Sequence, residues 1–127
     1  MSSKVGTHRE LRVWQEAMAL AELVYHATAE FPPSERFGMV AQMRRAAVSV
    51  PANIAEGAAR SSSKEFANFL SIARGSLAEL ETQVELARRI GFVGNWPAIH
   101  EQCGLCGRLL SALIASIRRR ARIRVSG

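Results

Sequence analysis

Apolar residues recur along this chain in alternating steps of four and three. Val13, Ala17, Leu20, Val24, Ala27 and Phe31 form one unbroken row. A helix of 3.6 residues per turn puts such a row on a single face. Leu11, Trp14, Met18, Ala21 and Tyr25 form a second row beside it. Together they make a wider apolar face than one neighbour needs, compatible with burial in an oligomer. The same rhythm marks a second helix (Val40, Met43, Ala47, Val50, Ile54) and a third (Phe66, Leu70, Ala73, Leu77, Leu80, Val84, Ala87). A fourth follows at Ile99, Cys103, Cys106, Leu110, Leu113 and Ile117. No segment alternates with period two, so the pattern predicts no strand.

Punctuation between the rows sets the helix limits. Thr7 with Glu10, and Ser62 with Glu65, have capping-box spacing. Pro32 and Pro33 stop the first helix, and Ser34 is a good cap for the second. Gly91 closes the third, behind Arg88 and Arg89, while Asn95 and Pro97 open the fourth. The predicted helices span about 8–30, 35–59, 63–90 and 96–120 of a single domain, residues 1–127. Short connections make neighbours antiparallel, an all-α, up-down-up-down four-helix bundle. Ser2 to Gly6 and the Arg-rich end are expected to be flexible. Pro51 lies inside the second row, where it removes a backbone donor and crowds Ala47. Apolar spacing continues past it, so a kink is expected rather than an end. Gly57 is expected to loosen the exit of that helix, and Gly75 and Ser76 to let a neighbouring backbone come close to the third.

Charge adds an asymmetry. The formal net charge is +6, and Arg118, Arg119, Arg120, Arg122 and Arg124 carry most of it, leaving the chain before them nearly neutral. Such density can neutralise phosphates without reading a base sequence. Few aromatics lie nearby, so base stacking is not indicated. Met1 to Arg9 is polar and does not read as a signal peptide, and Leu109 to Ile117 is too short to span a bilayer. A cytoplasmic location without membrane contact is expected.

Three constellations invite a chemical reading. Cys103 and Cys106 form a C-x-x-C, but both fall on the apolar row of a helix and only His100 lies near, which favours buried thiols over a redox or zinc site. Glu56, Glu79, Glu81 and Glu85 lack the Glu-x-x-His pairs of a di-iron bundle. Salt links from Glu56, or from Glu79 and Glu81, to Arg44 or Arg45 are the expected use. Asn53 and Glu56 lie three apart beyond Pro51 and form either a polar ligand site or a structural lock, Asn53 satisfying carbonyls freed by the proline.

The stretch Arg44-Arg45-Ala46-Ala47-Val48-Ser49-Val50, then Ala52-Asn53-Ile54-Ala55-Glu56-Gly57, resembles the signature of the bacterial four-helix-bundle proteins first named for 23S rRNA intervening sequences. Val13-Trp14-Gln15, Phe31-Pro32, Glu35-Arg36-Phe37-Gly38, Glu65-Phe66 and Glu79-Leu80-Glu81-Thr82 extend the match in order. The resemblance implies a four-helix protomer that assembles with itself, commonly as a pentamer, and no enzymatic activity or cofactor. The family is also similar to the accessory protein of diversity-generating retroelements, which partners a reverse transcriptase and nucleic acid. The expected function is therefore a non-enzymatic oligomeric scaffold for RNA, DNA or a nucleic-acid-handling protein. Arg44, Arg45, Arg60, Lys64, Arg118, Arg119, Arg120, Arg122 and Arg124 are the candidate contacts. The alternatives are a protein-interaction ring with no nucleic-acid role, or a small-molecule site at Asn53 and Glu56.

Overall fold

A computed structural model describes residues 7–126, with backbone alone over 124–126. Every regular element among the described residues is helical, and none of these residues forms a strand. Four helices carry the fold: α1 (Arg12–Thr28), α2 (Ala41–Ala58), α3 (Ser63–Arg89) and α4 (Trp96–Ser126). Each packs chiefly on its two neighbours in the order α1, α2, α3, α4 and back to α1. The predicted rows meet along the axis. Leu20, Met43, Ile54, Leu70, Leu80, Ile99 and Leu110 are among the side chains sealed there.

Two rows shift by one position. Ala67 rather than Phe66 starts the buried row of α3, and Ile114 rather than Leu113 continues that of α4. Phe66 and Leu113 pack against the rim of the core instead. A 3.6-residue helix drifts against a strict 4-3 count, which moves the buried position round.

The helix ends separate good local signals from weak ones. At α3 the box closes: Ser62 Oγ accepts from the Glu65 amide at 3.1 Å and donates to Glu65 Oε1 at 3.1 Å. Its far end is a full Schellman motif. Gly91 has φ +89°, its amide donates to the Arg88 carbonyl, and the Phe92 amide donates to that of Ala87. Thr7 makes no such bond, contrary to its spacing. Residues 8–10 form a 3-10 turn and α1 begins only at Arg12. Ser34 is not the cap of α2 either. A 3-10 turn at 33–35 feeds a π turn at 36–40, and Glu35 takes the Met39 amide on its carboxylate. Pro33 opens the 3-10 turn, a position where its fixed φ fits and its missing amide is not needed.

Beyond Ala41, α2 runs on through Pro51, whose ring is buried. The C-terminal arginines also differ from expectation, because α4 continues to Ser126. No Gly or Pro follows Gly107 until the last residue, Arg and Ala favour helix, and cations suit a helix C-terminus. The N-terminal residues 1–6, expected to be flexible, lie outside the described residues.

Candidate nucleic-acid interface

The antiparallel packing of α3 on α4 brings the first turn of α3 beside the last turns of α4. Between them lies a groove of about 520 Å³, floored by Ala67, Ile117 and Ala121 and walled by Lys64, Arg118 and Arg122. Ser63 and Asn68 add polar edges. Arg118 and Arg122 stand one turn apart on the same face of α4. The amide end of α3 opens at the same place, and its dipole adds to the positive field. Lys64, Arg118 and Arg122 are exposed, and none lies within ion-pair distance of a carboxylate among the described residues. Burying three like charges together would be costly; held in water they leave a focused positive potential.

The seam continues along the bundle. Arg74 Nη1 reaches Ser111 Oγ at 3.3 Å and Arg118 Nη2 reaches Ser71 Oγ at 3.5 Å. Arg108 stands exposed further up α4. Sequence reasoning missed Arg74 and Arg108 because it searched for dense runs. The available signal was helical phase: Arg108 precedes Arg122 by fourteen residues, nearly four whole turns. That separation is about 21 Å at 1.5 Å per residue.

Not every candidate joins this surface. Successive helical residues turn by about 100°, so Arg119 and Arg120 leave α4 on other faces, both exposed. The Arg124 side chain lies outside the described residues. Arg60 ion-pairs with Glu56 at 2.9 Å and lies over the Phe69 ring at 4.9 Å. Arg45 is exposed on α2. Arg44 is occupied at the α1/α2 seam: its Nε donates to Thr28 Oγ1 at 2.9 Å, its Nη2 to the Tyr25 carbonyl at 3.2 Å, and the guanidinium covers the Tyr25 ring at 4.4 Å. The expected salt links from Glu56, Glu79 or Glu81 to Arg44 or Arg45 are absent among the described residues. Glu56 sits four residues before Arg60 and finds its partner locally instead.

Asn53 and Glu56 do not converge. Asn53 Nδ2 donates to the Ser49 carbonyl and to Ser49 Oγ, each at 2.9 Å, and Ser49 Oγ shares a 2.8 Å bond with Ser76 Oγ of α3. Asn53 thus ties one turn of α2 to α3, at the carbonyl of Ser49 rather than the Ala47 carbonyl that the proline frees. Glu56 points outward to Arg60.

Cys103 and Cys106 are buried free thiols. Burial pushes Cys103 up to about 12 and Cys106 to about 11, which holds both protonated. Cys103 shares a cavity of about 290 Å³ with Glu81, Glu85, Trp96 and His100. No three His, Cys, Asp or Glu side chains among the described residues are placed to hold a metal ion. Glu85 in that cavity is held down at about 2 by hydrogen bonds from Arg88 and Arg89.

The family model described as 23S rRNA-intervening sequence protein matches residues 9–112. No curated protein matches the chain. Among solved structures it is similar to a protein of unknown function from the S23 ribosomal protein family of Bacteroides thetaiotaomicron VPI-5482, solved at 1.70 Å resolution. The two share 24% identity over 81% of this chain and 95% of that one, with a TM-score of 0.74. At that identity the likeness carries the fold. No described helix is long and apolar enough to cross a membrane.

Proposed function

The chain belongs to the 23S rRNA-intervening sequence protein family, and we propose that it serves as a non-enzymatic, oligomeric scaffold that holds nucleic acid along the α3/α4 seam. One observation carries this reading. Lys64, Arg118 and Arg122, far apart in sequence, wall one groove and have no carboxylate partner among the described residues. Arg74 and Arg108 extend the same charge along the bundle. The mechanism is electrostatic: each cation neutralises a phosphate and releases a condensed counterion. No exposed aromatic lines the groove, so the contact reads backbone rather than bases. Several copies in one assembly multiply the contacts, and effective concentration turns weak single sites into firm binding.

The test is fluorescence anisotropy with labelled single-stranded RNA and duplex DNA, at low and at physiological salt. The full chain is compared with a Lys64→Ala, Arg118→Ala, Arg122→Ala variant. Binding that weakens tenfold or more in the variant is expected, with a salt slope shallower by roughly 0.9 for each duplex phosphate that the variant leaves unneutralised. Failure of the full chain to bind either probe at low salt would remove the reading.

A further inference from the structure

We propose that the outer groove between α1 and α2 is the seat of Phe37 from a second copy of this chain. The inference rests on the oligomeric part of the function proposed above and names the surface that joins the copies.

The groove has a volume of about 340 Å³ and is lined by Met18, Tyr25, Val48 and Pro51, with Glu22 at its edge. Met18, Tyr25 and Val48 are left 38%, 43% and 45% exposed. Arg44, anchored below, stacks on the Tyr25 ring and fixes that wall. Leu11, Trp14 and Ala21 of the second apolar row on α1 pack on the bundle, whereas Met18 and Tyr25 of that row stay outside it beside Val48 of α2. The groove is thus sized for one side chain rather than for a broad partner surface.

Phe37 is the complementary feature. It stands at the head of α2 and is 87% exposed. Arg36 lies over its ring at 5.3 Å. An aromatic ring is among the largest apolar surfaces a side chain can bury, so water is a poor place for it. It cannot fold into its own groove: Val48 lies eleven residues on, about 16 Å along the helix axis. The ring therefore has no seat in the groove of its own protomer and is free to enter that of another.

Charge selects a second copy. Arg36 flanks the protruding ring, and Glu22 flanks the groove. Neither has an ion-pair partner among the described residues. An apolar knob with Arg36 over its ring, and an apolar socket that carries Glu22 and His26 with the Arg44 guanidinium on its Tyr25 wall, are thus present on one chain, in places that cannot meet within it. Seating Phe37 brings Arg36 of one copy toward Glu22 of the next. Every copy both gives and receives, so the contact is made twice in a dimer or passed from copy to copy, and closes into a ring where the rotation allows.

Sedimentation velocity on the full chain at tens of micromolar tests this. Wild type is expected to self-associate. Phe37→Ala weakens association tenfold or more with unchanged helix content, since the ring is exposed and makes no core contact. Arg36→Glu and Glu22→Arg each weaken it, and the two together restore it. If wild type associates and all of these variants match it, this interface is wrong while the oligomeric reading stands. A monomeric wild type overturns both, and leaves the anisotropy result to decide the nucleic-acid reading separately.

Discussion

The two faces of α3 meet their neighbours in opposite ways. Toward α2 the helices close tightly: a Cβ placed on Gly57 would lie 2.7 Å from Phe69 Cβ and 3.0 Å from Phe66 Cδ1. A short polar clasp, Ser49 to Ser76 at 2.8 Å, locks the same interface. Toward α4, the outer part of the contact is spanned by long arginines, Arg74 to Ser111 and Arg118 to Ser71, at 3.3 and 3.5 Å. Beside them the groove stays open. Small residues bring backbones together and give stability; long cations hold a gap and give a surface. One helix thus carries a tightly closed contact on one side and, on the other, the open groove that the proposed function assigns to a ligand.

Gly57→Leu should break the tight side outright. The nearest neighbours include Phe66 backbone, which cannot swing aside. Overpacking of this kind costs about 3 kcal/mol, more than the helix propensity gained by losing a glycine. A loss of unfolding free energy of that order, read from urea unfolding, is expected. Molecules that remain folded should bind nucleic acid as wild type does, because the α3/α4 groove is untouched. Weaker binding per folded molecule would mean the two faces are coupled.

Ser49→Ala probes the same interface more gently. It strands the Ser76 hydroxyl and one of the Asn53 amide contacts, at about 1 kcal/mol. Ser76→Ala on top of it should add little, since the pair shares one bond, and a double-mutant cycle on urea midpoints reads the coupling. Full additivity would show that the clasp is not formed.

The four rows, the boundaries of α3 and the antiparallel order were readable from spacing and capping residues, because those signals act within a turn or two. The role of Gly57 was not. Its sequence neighbours suggest a loose helix exit, and only the approach of Phe66 and Phe69 from α3 shows a close contact. The candidate site was half readable. Charge density pointed to the C-terminal arginines, yet helical phase divides them: Arg118 and Arg122 enter the groove while Arg119 and Arg120 leave it. Lys64 reaches the same groove only through the α3/α4 packing. Arg44 shows the converse. Inside a basic pair it looks like a surface charge, but Thr28 and Tyr25 of α1 claim it. Partners distant in sequence decide such cases, and no local pattern encodes them.

Gly75 gives the smallest and sharpest test, because it matches Gly57 in residue type and differs in surroundings. It lies on the solvent side of α3, with nothing within 4 Å of where a Cβ would stand. The expectation that it brings a neighbouring backbone close is therefore not met within the protomer. Here alanine removes only the entropic penalty of a mid-helix glycine, so Gly75→Ala should stabilise by about 0.5–1 kcal/mol. Urea unfolding of the two glycine variants side by side then ranks the faces of α3 directly. A gain at Gly75 beside a loss at Gly57 separates the solvent face of α3 from the face that closes on α2. If Gly75→Ala instead destabilises, and does so more at higher protein concentration, the assembly covers this face, because only a contact between copies can make an added methyl group clash where the protomer leaves open space.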